Sequence, residues 1–365
     1  MLNNSELKKI PFVFIIGRPR SGTTMLRSML DAHPNVRIPL ESAFIKNLFP
    51  KYGKLKKWSK PLILKFFSEL INQPQFNLWT IDNDFLKQQL LGMPEDSTFQ
   101  DVCKIIYSNA VSFFKKEELK ILADKNPPYT LSIPLLLKIF PEARFIYIVR
   151  DYRDNILSMK NVDFEKPWTS SLAFRWKYYN KKFLKAYNKN NSRFHIIKYE
   201  DLVSEPRNYL TGLCTFLGIE YTEEMIHYNH IKDQALKIYP QELINRYHKS
   251  LFEPISPGKV GLWKNKMTTN EVMKCDLIVG NYAEKMDYER VYKKKNILLY
   301  ISCLPGICYG RLYYLIFDAA TFLLPVKGRE IFFRMLSGFF HPWWKKNYKV
   351  ELDKSSLKNY PTTQE

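Results

Sequence analysis

Residues 12–16 (FVFII) form an unbroken apolar run, the pattern of a parallel strand buried on both faces. The segment Gly17–Gly22 breaks the run, and Met25, Leu26, Met29 and Leu30 then recur at helical spacing up to His33 and Pro34. The chain therefore opens as strand, glycine-bounded loop and helix. A second strand is predicted over Ala143–Val149 (ARFIYIV), with a helix starting in Asp154–Met159. A third is predicted over Phe194–Tyr199, followed by a helix over Leu202–Leu217 that Gly218 stops. Residues from about 44 to 122 read as mostly helical with Pro and Asn breaks, and Ile133–Phe140 is helical again. Such alternation predicts an α/β fold, a parallel sheet flanked by helices with a mostly helical insertion.

The pattern changes after Tyr292. Lys293–Lys295 precede Asn296–Leu324, a stretch rich in Leu, Ile, Tyr and Phe that Pro305, Gly306, Arg311 and Asp318 interrupt. A spanning helix needs about 20 nearly uninterrupted apolar residues, so this stretch is poor material for one. The tail then carries Phe332, Phe333, Phe339, Phe340, Trp343 and Trp344 among basic residues. The chain thus divides into a domain over 1–292 and a basic, aromatic, helical C-terminal extension over 293–365. Residues 296–344 suit a membrane surface, and equally a helical pair packed on the core or on a second copy.

Composition narrows this picture. Hydrophobic residues make up 45% and aromatic residues 15% of the 365, which excludes a disordered chain. A formal charge of +20 asks for anionic partners. Nothing besides charge points to nucleic acid, which is not expected as a partner. The five cysteines, an odd and scattered set, read as buried free thiols of a reducing compartment. The segment MLNNSELKKI holds no apolar stretch resembling a signal peptide, so the expected location is cytoplasmic, at most peripheral to the inner face of a membrane.

The chemistry concentrates in Gly17–Thr24 (GRPRSGTT), which has the Gly-x4-Gly spacing of a phosphate-cradling loop, a P-loop. Backbone N–H groups at a helix N-terminus converge on one anion there. Nucleoside triphosphatases follow the second glycine with Lys, and this chain has Thr23 instead. Arg18 and Arg20 supply the charge. A loop without that lysine suits a less charged reacting end, such as a phosphosulfate. A P-loop kinase, a nucleotide-binding scaffold with a degenerate loop and a glycine turn without ligand remain alternatives at this point.

Residues 20–41 (RSGTTMLRSMLDAHPNVRIPLE), Asp124–Pro127, Arg144–Met159, Lys198–Asp201 and Gly258–Asn265 occur in an order that resembles the sulfotransferases using 3′-phosphoadenosine 5′-phosphosulfate (PAPS). The motifs are most similar to the tyrosylprotein branch and its bacterial relatives, across roughly residues 11–283. The resemblance implies PAPS as co-substrate, the desulfated nucleotide PAP as product, and no metal. It implies that Arg20, Ser21, Gly22, Thr23 and Thr24 cradle the 5′-phosphosulfate. Arg150 closes a predicted strand, with Ser158 eight residues on; an arginine fork and a hydroxyl can bracket one phosphate. In the family the matching pair binds the 3′-phosphate. Tyr199, Gly258, Trp263 and Lys264 match further nucleotide contacts. Ser256, Pro257 and Leu262 depart from the late loop's pattern, and Lys259 is the cation that could substitute.

For catalysis the resemblance implies Glu41 as general base, with Lys125 and Arg20 stabilising charge on the leaving phosphate. His33 reads as a helix-capping or buried polar group, while His195, His227, His230 and the cysteines lack metal-ligand spacing. Glu200 and Asp201 pair in sequence without a further acid for hydrolysis. The tyrosylprotein branch follows its catalytic Glu with Thr-Arg, where this chain has Ser42 and Ala43. A glycan, glycolipid or small-molecule hydroxyl is therefore the expected acceptor.

Overall fold

The apolar runs pair into one parallel sheet. β1 (Phe12–Gly17) lies at its centre, between β3 (Ile121–Lys125) and β4 (Arg144–Val149), and β2 (Val36–Arg37) and β5 (Phe194–Lys198) form the edges in the order β2-β3-β1-β4-β5. The register sets Ile15 beside Lys125 and beside Ile146. The protein is seen here as a computed structural model that describes residues 4–231 (113 and 163 apart), 254–324, and residues 328, 331, 332 and 335. The α/β class predicted from the alternation is the class observed.

Every residue of β1 is buried, because helices cover both faces. One face carries Phe12, Phe14, Phe145 and Phe194, whose rings stack across three strands at 5.4 Å (Phe14–Phe145) and 5.0 Å (Phe145–Phe194). On the other face Val13, Ile15, Ile146 and Ile148 pack against α2 (Thr23–Ala32) and a later helix, Pro206–Leu217. At about 1.5–3 kcal/mol for each large side chain buried, these two layers supply most of the drive to fold.

The insertion is helical as predicted over Phe44–Tyr52, Lys60–Ile71, Asn83–Leu91 and Phe99–Ser108. It is no separate body, since Phe44, Trp79 and Tyr107 pack edge to face and belong to the same core as Phe12 and Phe14. Its far limit needs correction. Residues 121 and 122, which fall inside the predicted helical stretch, start β3. The helix predicted over 202–217 is also two, Tyr199–Ser204 and Pro206–Leu217, because Pro206 cannot continue the first and instead opens the second.

The long helix α9 (Thr169–Tyr187) runs from the carboxyl end of the sheet back to β5. Against it lies one continuous helix, Ile297–Leu323, which tolerates Pro305. Close approach explains Gly306 and Gly310, where a Cβ would come within 2.0 Å of Ser170 Oγ and 2.8 Å of Phe174 Cδ1. No described helix is long and apolar enough to cross a membrane. Cys103, Cys214, Cys275 and Cys303 are buried free thiols, and Cys308 is exposed. Phe333, Phe339, Phe340, Trp343 and Trp344 lie outside the described residues.

Candidate functional site

β1, β3 and β4 end on one edge, and the residues singled out in the sequence gather there. The loop 18–22 turns β1 into α2, whose N-cap Gly22 has φ 95° and receives no side-chain cap. The first-turn amides of α2 are thus left without intrahelical acceptors, pointing at a place where an anion is favoured. Only glycine fits at 22, since a Cβ would sit 2.5 Å from the Tyr199 ring. Arg20 also adopts a left-handed φ of 66°, which costs a side-chain-bearing residue about 1–2 kcal/mol. Two bonds hold it there: Arg20 Nε donates to Ser158 Oγ at 3.1 Å, and Arg150 Nη1 donates to the Arg20 carbonyl at 3.3 Å.

Arg20 and Arg150 therefore stand side by side. Neither forms an ion pair with a carboxylate among the described residues, although Asp154 is within electrostatic reach of Arg150. Arg20 reaches the surface, yet the protein around it, and then Arg150, hold its pKa below the usual arginine range. The Arg150 guanidinium lies 4.6 Å from the Tyr199 ring centre, and its Nε is buried without a partner. Two adjacent guanidiniums beside a serine hydroxyl and an uncapped helix are suited to a multiply charged anion.

The late loop joins this cluster. Arg150 Nη2 donates to the Lys259 carbonyl at 2.6 Å. Gly258 lies in the turn Pro257–Lys259, and its amide donates to Ser256 Oγ at 3.2 Å. The Asp154 carboxylate accepts the amides of Gly261 (2.6 Å) and Trp263 (2.9 Å), and Arg153 stacks 3.8 Å above the Trp263 ring. Burial raises the Asp154 pKa, while these two amide bonds oppose the shift. Lys264 is exposed, and no described bond ties it to the arginines.

At the other side of the loop, Lys125 ends β3 with its ammonium buried against two acceptors. It donates to Thr24 Oγ1 at 3.2 Å and forms an ion pair with Glu41. Glu41 is about a third exposed. Ser42 turns inward, its hydroxyl on the Pro74 carbonyl at 3.4 Å and its own carbonyl accepting from Asn126. Beneath them Asp124 accepts from the Tyr107 hydroxyl, and burial pushes its pKa up to about 7.

Two readings of the sequence change here. Arg18 does not add charge to the cradle. It is fully buried, donating to Asn155 Oδ1 at 2.8 Å and pairing with Glu165 at 3.3 Å. Glu200 does not pair with Asp201; it accepts the Asp151 amide at 2.9 Å and the Tyr288 hydroxyl at 2.7 Å, which braces the turn after β4. His33 is the buried capping group expected, bonded to the Glu220 carbonyl at 2.7 Å and receiving the Asn35 amide. Missed altogether were Asn155, which also donates to the Pro19 carbonyl and Ser21 Oγ, and Thr130, which exchanges bonds with Gly17. Their partners lie more than a hundred residues away, so no local pattern announces them. Among the described residues no group of acids, histidines and cysteines could hold a metal ion.

An α/β protein whose central parallel strand runs through a glycine-bounded loop into an uncapped helix is the class that fold and site define. A family model described as "Sulfotransferase family" matches residues 11–223, well over half of the chain. This chain belongs to the sulfotransferase family. It is 27% identical over 277 residues to "Protein-tyrosine sulfotransferase 2" of Gallus gallus, covering 73% of this chain and 61% of that one. It is 26% identical over 289 residues to "Protein-tyrosine sulfotransferase 1" of Danio rerio, covering 77% and 73%. Among solved structures, "Sulfotransferase Domain from the Synechococcus PCC 7002 Olefin Synthase" superposes with a TM-score of 0.54 at 22% identity, covering 76% of this chain and 95% of that domain, a likeness of fold.

Proposed function

We propose that this chain transfers a sulfuryl group from PAPS to an acceptor hydroxyl. The observation that carries this reading is Arg150 with Ser158, both bonded to the loop residue Arg20, with neither arginine in an ion pair with a carboxylate among the described residues. A terminal 3′-phosphate is the anion such a fork would hold, and it is what separates PAPS from ATP. Tyr199, Gly258, Trp263 and Lys264 would line the nucleotide, and the amides of Gly22–Thr24 the phosphosulfate. The buried, unpartnered Arg150 Nε fits an anion seated there.

When bound, PAPS supplies a sulfur atom that an oxygen nucleophile attacks in line with the departing phosphate. Glu41 would take the hydroxyl proton on its carboxylate as the new O–S bond forms. The electron pair of the breaking S–O bond stays on the bridging oxygen of the nucleotide, and Lys125 would donate a hydrogen bond to it. An ammonium has three N–H donors, and Thr24 and Glu41 use two of them, which leaves one. Arg20 would add charge on the phosphate side. Nothing in the scheme calls for a metal.

For the acceptor, Ser42 and Ala43 offer no cation next to Glu41, and Ser42 faces the interior. A glycan, glycolipid or small-molecule hydroxyl suits that entrance better than an acidic peptide. The relatives named for protein tyrosine make a tyrosyl peptide the other acceptor class to assay. Calorimetry with PAP and with ADP, each with and without magnesium, tests the donor. Tight PAP binding that ignores magnesium is expected, and preference for ADP or dependence on magnesium contradicts the proposal.

A further inference from the structure

The helix Ile297–Leu323 has two faces, and only one has a partner among the described residues. Cys303, Gly306, Ile307, Gly310 and Tyr314 pack inward, with Tyr314 stacked on Tyr178 at 4.5 Å and bonded to Arg175. The opposite face is apolar and open to solvent. Ile297 is 73% exposed, Leu298 76%, Ile301 53%, Leu315 69% and Leu323 80%, with Leu312 between them. These positions follow the helical repeat, so they form one stripe along a helix about 40 Å long. Soluble monomers rarely leave so continuous an apolar strip uncovered.

Charge decides what covers it. Lys293, Lys294 and Lys295 are exposed just before the first turn, Arg311 is exposed midway, and Lys181, Lys182 and Lys185 are exposed on the adjoining helix α9. Asp318 is the helix's only acidic residue. An apolar stripe rimmed by cations is complementary to a surface that is apolar within and anionic at its head groups. A second copy is disfavoured, because it would bring two chains of net charge +20 together. We propose that this face is a membrane-docking surface, on which Ile297–Leu323 lies in the plane of an anionic bilayer interface without crossing it. The site reading does not depend on this proposal.

Co-sedimentation of the full chain with phosphatidylcholine vesicles, with and without phosphatidylglycerol, tests it. The chain should bind the anionic vesicles at least about tenfold more strongly than the neutral ones, and less at high salt. Leu298→Glu with Ile301→Glu should weaken that binding at least about tenfold with an unchanged melting curve. If that pair melts early, Leu315→Glu on the same stripe is the second probe, with the same loss expected. Lys294→Glu with Lys295→Glu should remove most of the preference for anionic vesicles. The proposal falls if the chain ignores anionic vesicles at low salt, or if both stripe variants bind like the wild type. It also falls if light scattering shows a dimer that Ile301→Glu returns to monomer, since a second copy then owns the stripe. PAP calorimetry on the same variants should be unchanged, which separates failure here from failure at the nucleotide site.

Discussion

At the scale of single residues, one lysine stands between two acceptors. Lys125 neutralises Glu41 at rest, and the same contact sets the carboxylate beside the loop. Glu41→Gln should abolish turnover while PAP affinity, read by calorimetry, stays within about twofold, because the amide keeps the shape and loses the proton acceptor. Lys125→Ala should lower kcat about 100- to 1,000-fold in a single-turnover assay, the usual cost of one donor to a leaving group. Arg150→Ala should instead lose PAP affinity, and unchanged binding would contradict its assignment. Asp124 makes a separate prediction. Burial lifts its pKa to about 7, whereas an unfolded aspartate titrates near about 4. Between those values the folded chain holds the extra proton, so stability falls as pH rises from about 4 to about 7 and stays low above. Asp124→Asn keeps an acceptor for the Tyr107 hydroxyl and should flatten this dependence, leaving the variant up to about 4 kcal/mol the more stable at pH 8. Denaturant melts across that range decide it.

At the scale of elements, sequence and structure part company where a side chain's partner is distant. The runs Phe12–Gly17, Arg144–Val149 and Phe194–Lys198 announced themselves, since a strand buried on both faces is apolar throughout. β3 did not: ILADK is five residues long and ends in two ionisable groups, and the two-residue β2 is too short to show a period. The motif marks Lys125 in the sequence, while nothing there marks the strand that carries it. The loop's geometry was legible in Gly17 and Gly22, but its support was hidden. Arg18 is tied to Glu165, Glu165 to Arg175 at 2.9 Å, and Arg175 Nε to Tyr314 Oη at 2.9 Å, so a buried chain of bonds runs from the loop to the C-terminal helix. Glu165 sits between two buried guanidiniums. Glu165→Gln should therefore cost about 3–5 kcal/mol in denaturant melts by leaving both cations unpaired. It should also weaken PAP binding, though Glu165 is buried in the interior; unaltered stability and affinity together would remove it from the support of the loop.

At the scale of the whole molecule, the predicted division into a domain over 1–292 and an extension over 293–365 follows a change of composition, whereas the packing crosses it. One core joins Leu7, the insertion residues Trp58 and Phe66, the sheet residue Phe145, and Cys303 and Ile307 of the last described helix. Composition marked that helix as different because its outer face is apolar, and could not show that its inner face belongs to the core. A continuous core unfolds as one unit, since no part can leave without exposing apolar surface on the rest. Tryptophan fluorescence, to which the insertion contributes Trp58 and Trp79, should then change in one step, at the same midpoint at which far-ultraviolet dichroism reports all helices. A saturating nucleotide should move both midpoints together, by about 2.7 kcal/mol of added stability at a hundred times its dissociation constant. In Arg150→Ala neither midpoint should move at the same PAP concentration. Two separate transitions, with only one responding to PAP, would mean that the aromatic insertion folds on its own and that the composition boundary is the physical one.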